Sequence, residues 1–310
     1  MMTALRRTSP GQLEVHEVDL PAAAADGELL VEMVYASVNP FDAQVLRGEI
    51  GDPSKVVTLG AEGSGRVDGR PVQVSGGGLG VVRDGTFAPK VLAPSASVRF
   101  LPEGADLALA ATVGVAGKTA WRAIHQLAKV TARDTVLVLG ASGGVGTFAA
   151  QLARSAGAQV IAHTASEAKS ARLDKLGAEA LVADSAEAVA QGVTGRDVTV
   201  VLDPLGGDYV AALLPVLAPA ARVVTYGVLS GRTATFDLAT LYGKGIQIIG
   251  TSGGTTPPEE AEAALQGALD AVLQGRVVVD HEVIAASEGP SAFDRLQQRS
   301  VSGKLLLGFE

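Results

Sequence analysis

The sequence has no cysteine, only four histidines, and aromatic side chains make up just 4% of its 310 residues. Without cysteine, the chain cannot form disulfides, use a thiolate as a nucleophile or bind a metal through sulfur. No serine-histidine-acid set or pair of catalytic carboxylates is recognisable in the sequence, so hydrolytic chemistry is not indicated. The histidines lack the spacing of metal ligands, which favours packing or surface roles for His16, His125, His163 and His281.

The chain also lacks an excess of positive charge, since its formal net charge is -8. A nucleic acid or an anionic membrane partner requires a basic stripe, and the sequence contains none. The longest uncharged stretch, 135–153, contains too many glycines and polar residues for a membrane span. The first residues show no secretory signal. We therefore expect a cytoplasmic protein with neither a nucleic acid nor a membrane as partner.

Glycine, in contrast, is abundant, and its pattern in the segment Thr135–Thr147 is the most informative feature of the chain. An apolar strand leads into a glycine turn of the form G-x-x-G-x-x-G, one residue longer than the usual dinucleotide fingerprint, and then into a helix. Gly140 permits the sharp turn, and Gly146 allows close packing of the helix on the strand. The helix N-terminus would bind a pyrophosphate, although a purely structural turn is the alternative. The predicted cofactor contacts are Ser142, Gly143, Gly144, Val145 and Gly146.

Six apolar segments separated by predicted helices indicate a doubly wound parallel sheet of the Rossmann type, an α/β fold. These predicted strands are 136–139, 159–164, 179–183, 197–202, 222–226 and 247–251. Before them, short alternating segments punctuated by glycine and proline predict a small antiparallel barrel, with strands at 13–18, 29–37, 64–67, 71–75 and 87–93. We expect a catalytic domain in 1–116, a nucleotide-binding domain in 117–253, and a helix followed by a return to the first domain in 254–310. A helix at 109–126 is expected to connect the two domains.

Five motifs, in their order and spacing, resemble the zinc-free quinone oxidoreductase and enoyl reductase branch of the medium-chain dehydrogenases. They are the glycine turn and the segments Ala36–Asp42, Leu59–Gly65, Ala116–Trp121 and Ser302–Leu307. The resemblance implies a GroES-like β-barrel catalytic domain, a Rossmann domain, a cleft between them and a nicotinamide cofactor. The chain departs from that pattern in a shortened loop near Val67 and in Ile50, where relatives often carry a tyrosine.

The resemblance also bears on the metal and on the reaction. Asn39 stands where zinc-dependent relatives have a cysteine ligand, and Ala61 replaces the histidine of their Gly-His-Glu pattern. Without a Lewis acid, reduction of an activated C=C bond or of a quinone is favoured over alcohol oxidation. The expected substrate is a small quinone, enone or enoyl compound. A zinc-free alcohol dehydrogenase and a non-catalytic NADPH-binding protein are the alternatives.

The identity of the cofactor depends on the residues that follow the second strand of the parallel sheet. NAD-binding proteins place Asp or Glu there, whereas this chain has Ser166 and Lys169, which match positions that hold a 2′-phosphate in relatives. We therefore expect NADPH, with NADH possible. The alternatives are that Ser166 caps the next helix and that Lys169 is a solvated surface charge. Asp184, after the third strand, is an argument against a phosphate site.

By resemblance, Asn39 and Thr119 are the catalytic candidates, and Thr119 would also contact the nicotinamide ribose. Asn39 equally fits a helix N-cap before a proline, and Thr119 could bond its own helix. Tyr226 stands at a strand end where Rossmann ligands bind, with a packed aromatic as the alternative. The remaining predicted cofactor contacts are Gly227, Thr251, Ser252 and Lys304.

The sixth predicted strand lies at the end of the strand series and is apolar. An apolar edge strand is rarely left uncovered, because its unpaired backbone groups are a template for pairing with another chain. We therefore expect a homodimer in which this strand, 247–252, pairs with its copy.

Overall fold

The computed structural model of the chain describes residues 1–22 and 24–309 and divides into two compact units. The first unit contains residues 1–115 and 279–310, and the second contains residues 116–278. The chain therefore leaves the first unit once and returns to it. Residues 254–278 lie in the second unit, so that unit extends beyond the predicted end of the nucleotide domain at residue 253.

In the described residues the strands, numbered in chain order, are β1 (Met2–Ser9), β2 (Gln12–Val18), β3 (Glu28–Val38), β4 (Val57–Thr58), β5 (Glu62–Val67), β6 (Arg70–Ser75), β7 (Lys90–Pro94), β8 (Val98–Phe100), β9 (Thr135–Val138), β10 (Gln159–Thr164), β11 (Glu179–Val182), β12 (Val200–Asp203), β13 (Arg222–Thr225), β14 (Gln247–Gly250), β15 (His281–Ala285) and β16 (Lys304–Gly308). The α-helices are α1 (Pro40–Leu46), α2 (Leu107–Ala110), α3 (Lys118–Trp121), α4 (Gly144–Ser155), α5 (Ser170–Lys175), α6 (Ala186–Val193), α7 (Asp208–Leu213), α8 (Leu238–Lys244), α9 (Pro258–Leu273) and α10 (Gly289–Gln297). Short 3-10 turns cover Ser95–Ser97, Glu167–Lys169 and Ala286–Glu288, and π-helical turns cover Val113–Gly117 and Arg122–Leu127. None of the helices in the described part of the chain has the length and apolar character needed to cross a membrane.

The second unit is built on a six-stranded parallel sheet with the spatial order β11-β10-β9-β12-β13-β14. The central strand β9 is buried on both faces, since Val136, Leu137 and Val138 have no exposed surface. Strands of this kind are continuous apolar runs covered by helices on both sides. The predicted doubly wound Rossmann sheet is confirmed, and the strand ends differ from the predicted ones by only a few residues.

The first unit is rich in antiparallel strands and has the GroES-like fold. Its larger sheet has the order β15-β16-β3-β5-β6-β8, with β7 also paired to β3, and a smaller sheet has the order β2-β1-β4. The C-terminal strand β16 lies antiparallel to β3, and the pair Leu305 and Val38 fixes the register. This register places the start of β16 beside the end of β3.

Two local features differ from the expectation. The strand β1 was not predicted, because its two arginines hide the apolar alternation; Arg7 is fully buried and donates hydrogen bonds to the carbonyl groups of Val45, Asp52 and Lys55. The predicted single helix at 109–126 is wrong, since the segment consists of α2, a π-helical turn, α3 and a second π-helical turn. A run of alanines and apolar residues does not distinguish α from π spacing.

Candidate functional site

The glycine turn lies where β9 passes into α4, and its glycines have different roles. Gly140 has a φ of +59°, a left-handed conformation that favours glycine. A Cβ atom at Gly146 would lie 2.5 Å from the Cα of Ala141 and 2.6 Å from the carbonyl oxygen of Gly140, so the helix packs directly on the turn. Gly143 has an ordinary φ of -84°, and a Cβ atom there would meet only the Gly140 oxygen, at 3.4 Å. The protein interior therefore requires Gly146 to be glycine but makes no such demand at Gly143.

The same turn presents backbone donors that suit an anion. The first N–H groups of α4 have no acceptor within their own helix, and the helix dipole places positive charge at this end. Gly143 is the N-cap residue, and its own N–H closes the turn by donating to the Gly140 carbonyl at 3.0 Å. Ser142 is buried, with its hydroxyl 3.5 Å from that of Thr164. These residues fit the phosphates of a dinucleotide, and the predicted contacts Gly144 and Val145 are the first residues of α4, next to the open side of Gly143.

The segment after β10 carries charges of both signs, since the exposed Glu167 lies in the same 3-10 turn as Lys169. Ser166 occupies the N-cap position of the 3-10 turn, but its side chain makes no capping hydrogen bond, so the capping alternative is wrong for its hydroxyl. Lys169 is half-buried, and its pKa is lowered by this burial and by the nearby charge of Arg172. Lys169 is therefore not a fully solvated surface lysine. Arg172, which the sequence analysis did not single out, lies in α5 and adds a second positive charge.

The ends of β12 and β13 bring Asp203 and Tyr226 together. Asp203 is fully buried and accepts hydrogen bonds from the N–H groups of Leu205 and Gly206 and from the hydroxyl of Thr225. Its burial raises its pKa despite these bonds. The Tyr226 hydroxyl is buried with no hydrogen-bond partner in the described residues, and its pKa is raised by burial and by the negative charge of Asp203.

The remaining predicted contacts of the second unit follow β13 and β14. A Cβ atom at Gly227 would lie 2.6 Å from the carbonyl oxygen of Pro204, so this glycine allows the loops after β12 and β13 to approach each other. The Thr251 hydroxyl accepts a hydrogen bond from Arg122, and the Ser252 hydroxyl lies 3.1 Å from that of Thr255. Because the sheet is parallel, all these strand ends, with the glycine turn and Ser166, lie along one edge, where ligands of such sheets bind.

In the first unit, Asn39, Glu62 and Lys304 form a buried cluster. Lys304 Nζ donates to Asn39 Oδ1 at 2.5 Å and to Glu62 Oε1 at 3.0 Å. The Asn39 amide donates to Glu62 Oε1 at 2.8 Å and to the carbonyl oxygen of Ser37 at 3.1 Å. Glu62 Oε2 accepts from the N–H of Val115 at 2.7 Å. Residue exposures of 2% for Asn39, 0% for Glu62 and 3% for Lys304 make this a desolvated charge pair.

Asn39 stands at the N-cap of α1, as the sequence predicts, but its side chain serves the cluster. The helix end is completed by Asp42, whose Oδ2 accepts from the Asn39 N–H at 2.8 Å and whose Oδ1 accepts from the Ala61 N–H at 3.2 Å. Burial, with a further contribution from the charge of Glu62, raises the pKa of Asp42 to about 7. Both N–H donors of the Asn39 amide are engaged inside the protein. In the described residues the side chain of Asn39, a catalytic candidate from the sequence, therefore bonds Lys304 and Glu62.

The donor set around Lys304 does not fit a zinc ion. Structural and catalytic zinc sites are built from thiolate, imidazole and carboxylate groups, whereas Ala61 offers no ligand atom and the oxygens of Asn39 and Glu62 are hydrogen-bonded to an ammonium group. No group of three or more His, Asp or Glu residues that could hold a metal ion occurs within residues 1–22 and 24–309. The positive charge beside Asn39 and Glu62 is instead the ammonium group of Lys304.

The structure thus gathers the predicted residues into two sets, one in each unit. Asn39 and Lys304 meet in the first unit, and Thr119 lies in α3 of the second unit. The sequence analysis missed Glu62, although an acidic residue between Ala61 and Gly63 in an otherwise uncharged segment was a usable signal. It also missed Arg172 and Asp203, whose importance depends on which side chains surround them.

Comparison with known proteins gives a consistent result. A family model described as zinc-binding dehydrogenase matches residues 144–270, which lie in the second unit and exclude the Asn39 cluster. A quinone oxidoreductase of Pseudomonas aeruginosa is 28% identical over 308 residues, and the match covers 93% of this chain and 93% of that protein. A polyketide synthase of Streptomyces halstedii is 35% identical over 228 residues, which make up 71% of this chain but only 4% of the synthase.

A solved structure shows the same fold over the full length. The quinone oxidoreductase of Pseudomonas syringae pv. Tomato DC3000 superimposes with a TM-score of 0.88 at 25% identity, and the match covers 100% of both chains.

Proposed function

We propose that this chain, which belongs to the zinc-free quinone oxidoreductase branch of the medium-chain dehydrogenase/reductase superfamily, uses NADPH to reduce an activated C=C bond or a quinone. The observation that carries the proposed reaction is the buried Lys304 ammonium between Asn39 and Glu62, at a place whose donor set does not suit zinc. Alcohol oxidation benefits from a Lewis acid that stabilises an alkoxide, whereas an electron-poor alkene or quinone accepts a hydride with less assistance. The quinone oxidoreductases and the polyketide synthase among the relatives support this substrate class.

Each part of the chain would have a distinct task. The N–H groups at the start of α4 would hold the pyrophosphate, and the glycines would let it approach the backbone. When bound, the dihydronicotinamide supplies the hydride. Within the described residues, Lys304 uses two of its three N–H donors on Asn39 and Glu62. The third would stabilise the negative charge that develops on the substrate oxygen, since a preorganised cation in a dry environment acts strongly.

The preference for NADPH rests on Lys169 and Arg172. The two cations are near enough that the charge of Arg172 lowers the pKa of Lys169, so bringing a dianionic 2′-phosphate beside them would relieve their repulsion. Ser166 stands where an acidic residue would otherwise bind the ribose hydroxyls of NADH. These features support the 2′-phosphate, although Asp184, which is exposed, adds a negative charge after β11.

The activity is tested by steady-state kinetics of the intact protein with NADPH and with NADH against 1,2-naphthoquinone, an α,β-unsaturated ketone and an enoyl thioester. A primary alcohol with NADP+ is the control reaction. We expect turnover of at least one of the three acceptors with NADPH, and none of the alcohol. Alcohol oxidation as the faster reaction, or cofactor binding without any turnover, would refute the proposal.

The cofactor preference is tested separately with Lys169→Ala and Arg172→Ala. We expect each substitution to lower kcat/KM for NADPH by about tenfold while leaving NADH nearly unchanged, because charge-assisted phosphate bonds are strong. Lys175→Ala is the matched control, since Lys175 is an exposed lysine of the same helix. Equal use of NADH and NADPH by the unmodified protein would contradict the preference.

A further inference from the structure

We propose that His163 is a positioning residue for the cofactor cradle. Its imidazole accepts a hydrogen bond from the Gly140 N–H and so fixes the glycine turn, which directs the N–H groups at the start of α4 towards the phosphates. This inference rests on the proposed function in one respect, namely that the glycine turn binds the pyrophosphate of the cofactor. The sequence analysis assigned His163 only a packing or surface role.

The geometry of the imidazole defines both of its nitrogens. His163 lies in β10 and is 2% exposed. Its Nδ1 lies 3.3 Å from the backbone nitrogen of Gly140, and its Nε2 lies 2.9 Å from the carbonyl oxygen of Ala183. A backbone N–H can only donate and a carbonyl can only accept, so Nδ1 is unprotonated and Nε2 carries the proton. Burial lowers the pKa of His163, which agrees with a neutral ring.

The backbone of the same residue holds the next peptide of the turn. The carbonyl oxygen of His163 accepts a hydrogen bond from the N–H of Ala141 at 2.8 Å. Two consecutive N–H groups, those of Gly140 and Ala141, are therefore directed at one residue of the neighbouring strand. The Gly140 carbonyl, in turn, accepts from the Gly143 N–H at 3.0 Å. Because the N–H and the carbonyl group of Gly140 are both hydrogen-bonded, the direction in which the chain enters α4 is fixed.

The contact to Ala183 extends this arrangement to a third strand. Ala183 follows β11, which neighbours β10 in the sheet, whereas Gly140 follows β9 on the other side. The imidazole thus joins the carboxyl ends of three adjacent strands at the edge where the cofactor would lie. The ring of Tyr209, 6.1 Å away, packs against it. An apolar residue of similar size would fill the space but leave a buried N–H and a buried carbonyl unpaired.

Two substitutions separate the two hydrogen bonds. In Asn, the side-chain oxygen is attached to Cγ, as Nδ1 is in His, so His163→Asn can still accept from Gly140. In Gln, the amide reaches the place of Nε2, so His163→Gln can still donate to Ala183 but loses the Gly140 contact. The exposed His16, replaced by Asn, is the control for histidine removal elsewhere.

We expect the Kd for NADPH, measured by cofactor fluorescence, to rise about tenfold in His163→Gln and to stay within about threefold of the unmodified protein in His163→Asn and His16→Asn. Melting temperatures are recorded in parallel. A general structural role would weaken both variants at position 163 equally and would therefore overturn the inference.

A second measurement determines the tautomer of His163 in the unmodified protein. Long-range proton-nitrogen NMR spectra of 15N-histidine-labelled protein report the tautomer of each ring, and the signals of His163 are those absent from the spectrum of His163→Asn. We expect an Nε2–H tautomer at pH 7.5 for His163, and an Nδ1–H tautomer or an imidazolium would refute the Gly140 bond. If the unmodified protein binds neither NADPH nor NADH, the proposed function and the cofactor role of His163 fail together, whereas the tautomer still decides whether the bond exists.

Discussion

The ammonium group of Lys304 lies 3.0 Å from the carboxylate of Glu62, although 242 residues separate them in the sequence. The side chains are 3% and 0% exposed, respectively. The two residues meet because β16 pairs with β3 and β3 pairs with β5. The start of β16, which holds Lys304, and the start of β5, which holds Glu62, therefore lie on either side of the end of β3. Asn39, directly after β3, completes the contact. A buried pair of this kind is costly to disrupt on one side only.

Replacing Lys304 by Met should lower the free energy of unfolding by about 3–5 kcal/mol, because it leaves the Glu62 carboxylate buried without its counter-charge. Adding Glu62→Gln should restore part of this loss. The measurement is urea denaturation of the two variants and the unmodified protein. Lys90→Met is the control, since Lys90 pairs with Glu32 on the surface and exposed ion pairs contribute little to stability. Equal losses for Lys304→Met and Lys90→Met would contradict the role of burial.

Asp42 should make the stability of the protein depend on pH. Its ordinary pKa is 3.8, and burial raises it to about 7 in the folded protein. Between these values the folded state holds a proton that the unfolded chain has released, so the contribution of Asp42 to stability is greatest at low pH and is lost as the pH rises towards 7. The resulting slope is at most about 1.4 kcal/mol per pH unit.

Asp42→Asn should remove this part of the slope, as measured by denaturation between pH 4 and about 8. The exposed Asp19, replaced by Asn, should leave the pH profile as it is. The prediction fails when Asp42→Asn and the unmodified protein show parallel profiles over this range.

Gly146→Ala and Gly143→Ala should have different effects, because the two glycines have different surroundings. A Cβ atom at position 146 would lie within 2.6 Å of two backbone atoms, so the variant should lose about 1–3 kcal/mol of stability through overpacking. A Cβ atom at position 143 would meet one oxygen at 3.4 Å, so stability should change little, while the added methyl group should hinder the phosphate. Thermal unfolding and NADPH titration separate the two effects. Stability losses of equal size would argue against this division of roles.

The edge strand β14 is the predicted dimer interface. It pairs only with β13 in the described sheet, Ile248 is 40% exposed, and the nearby Leu238 and Tyr242 are 68% and 83% exposed. Ile248→Lys should convert a dimer into monomers in light scattering at micromolar concentration, because a charge on an edge opposes strand pairing. Val182→Lys, on β11 at the opposite edge of the sheet, should leave the mass unchanged. A monomer in the unmodified protein would end this prediction.

The parallel sheet could be predicted because its information is local. A strand buried on both faces is a continuous apolar run, so β9 and β10 can be recognised in the sequence without knowing which strands pair with them. The glycine turn could be predicted for the same reason, since the need for glycine at 140 and 146 arises from the local backbone conformation and from backbone atoms a few residues away. The interruption of the helix after residue 110 could not be predicted in this way, because π and α turns use the same apolar residues.

The sequence by itself determined the Rossmann sheet, the glycine cradle and the lack of cysteine ligands, all of which follow from residue type and short spacing. Tertiary structure alone decided that Lys304 pairs with Glu62, that the Asn39 amide is hydrogen-bonded to both of them, and that the His163 ring accepts a hydrogen bond from Gly140. The physical reason is that a charge or a ring nitrogen acquires its role from the groups within about 3 Å of it. In this fold those groups come from strands far apart in the chain, and only the pairing of the strands brings them together.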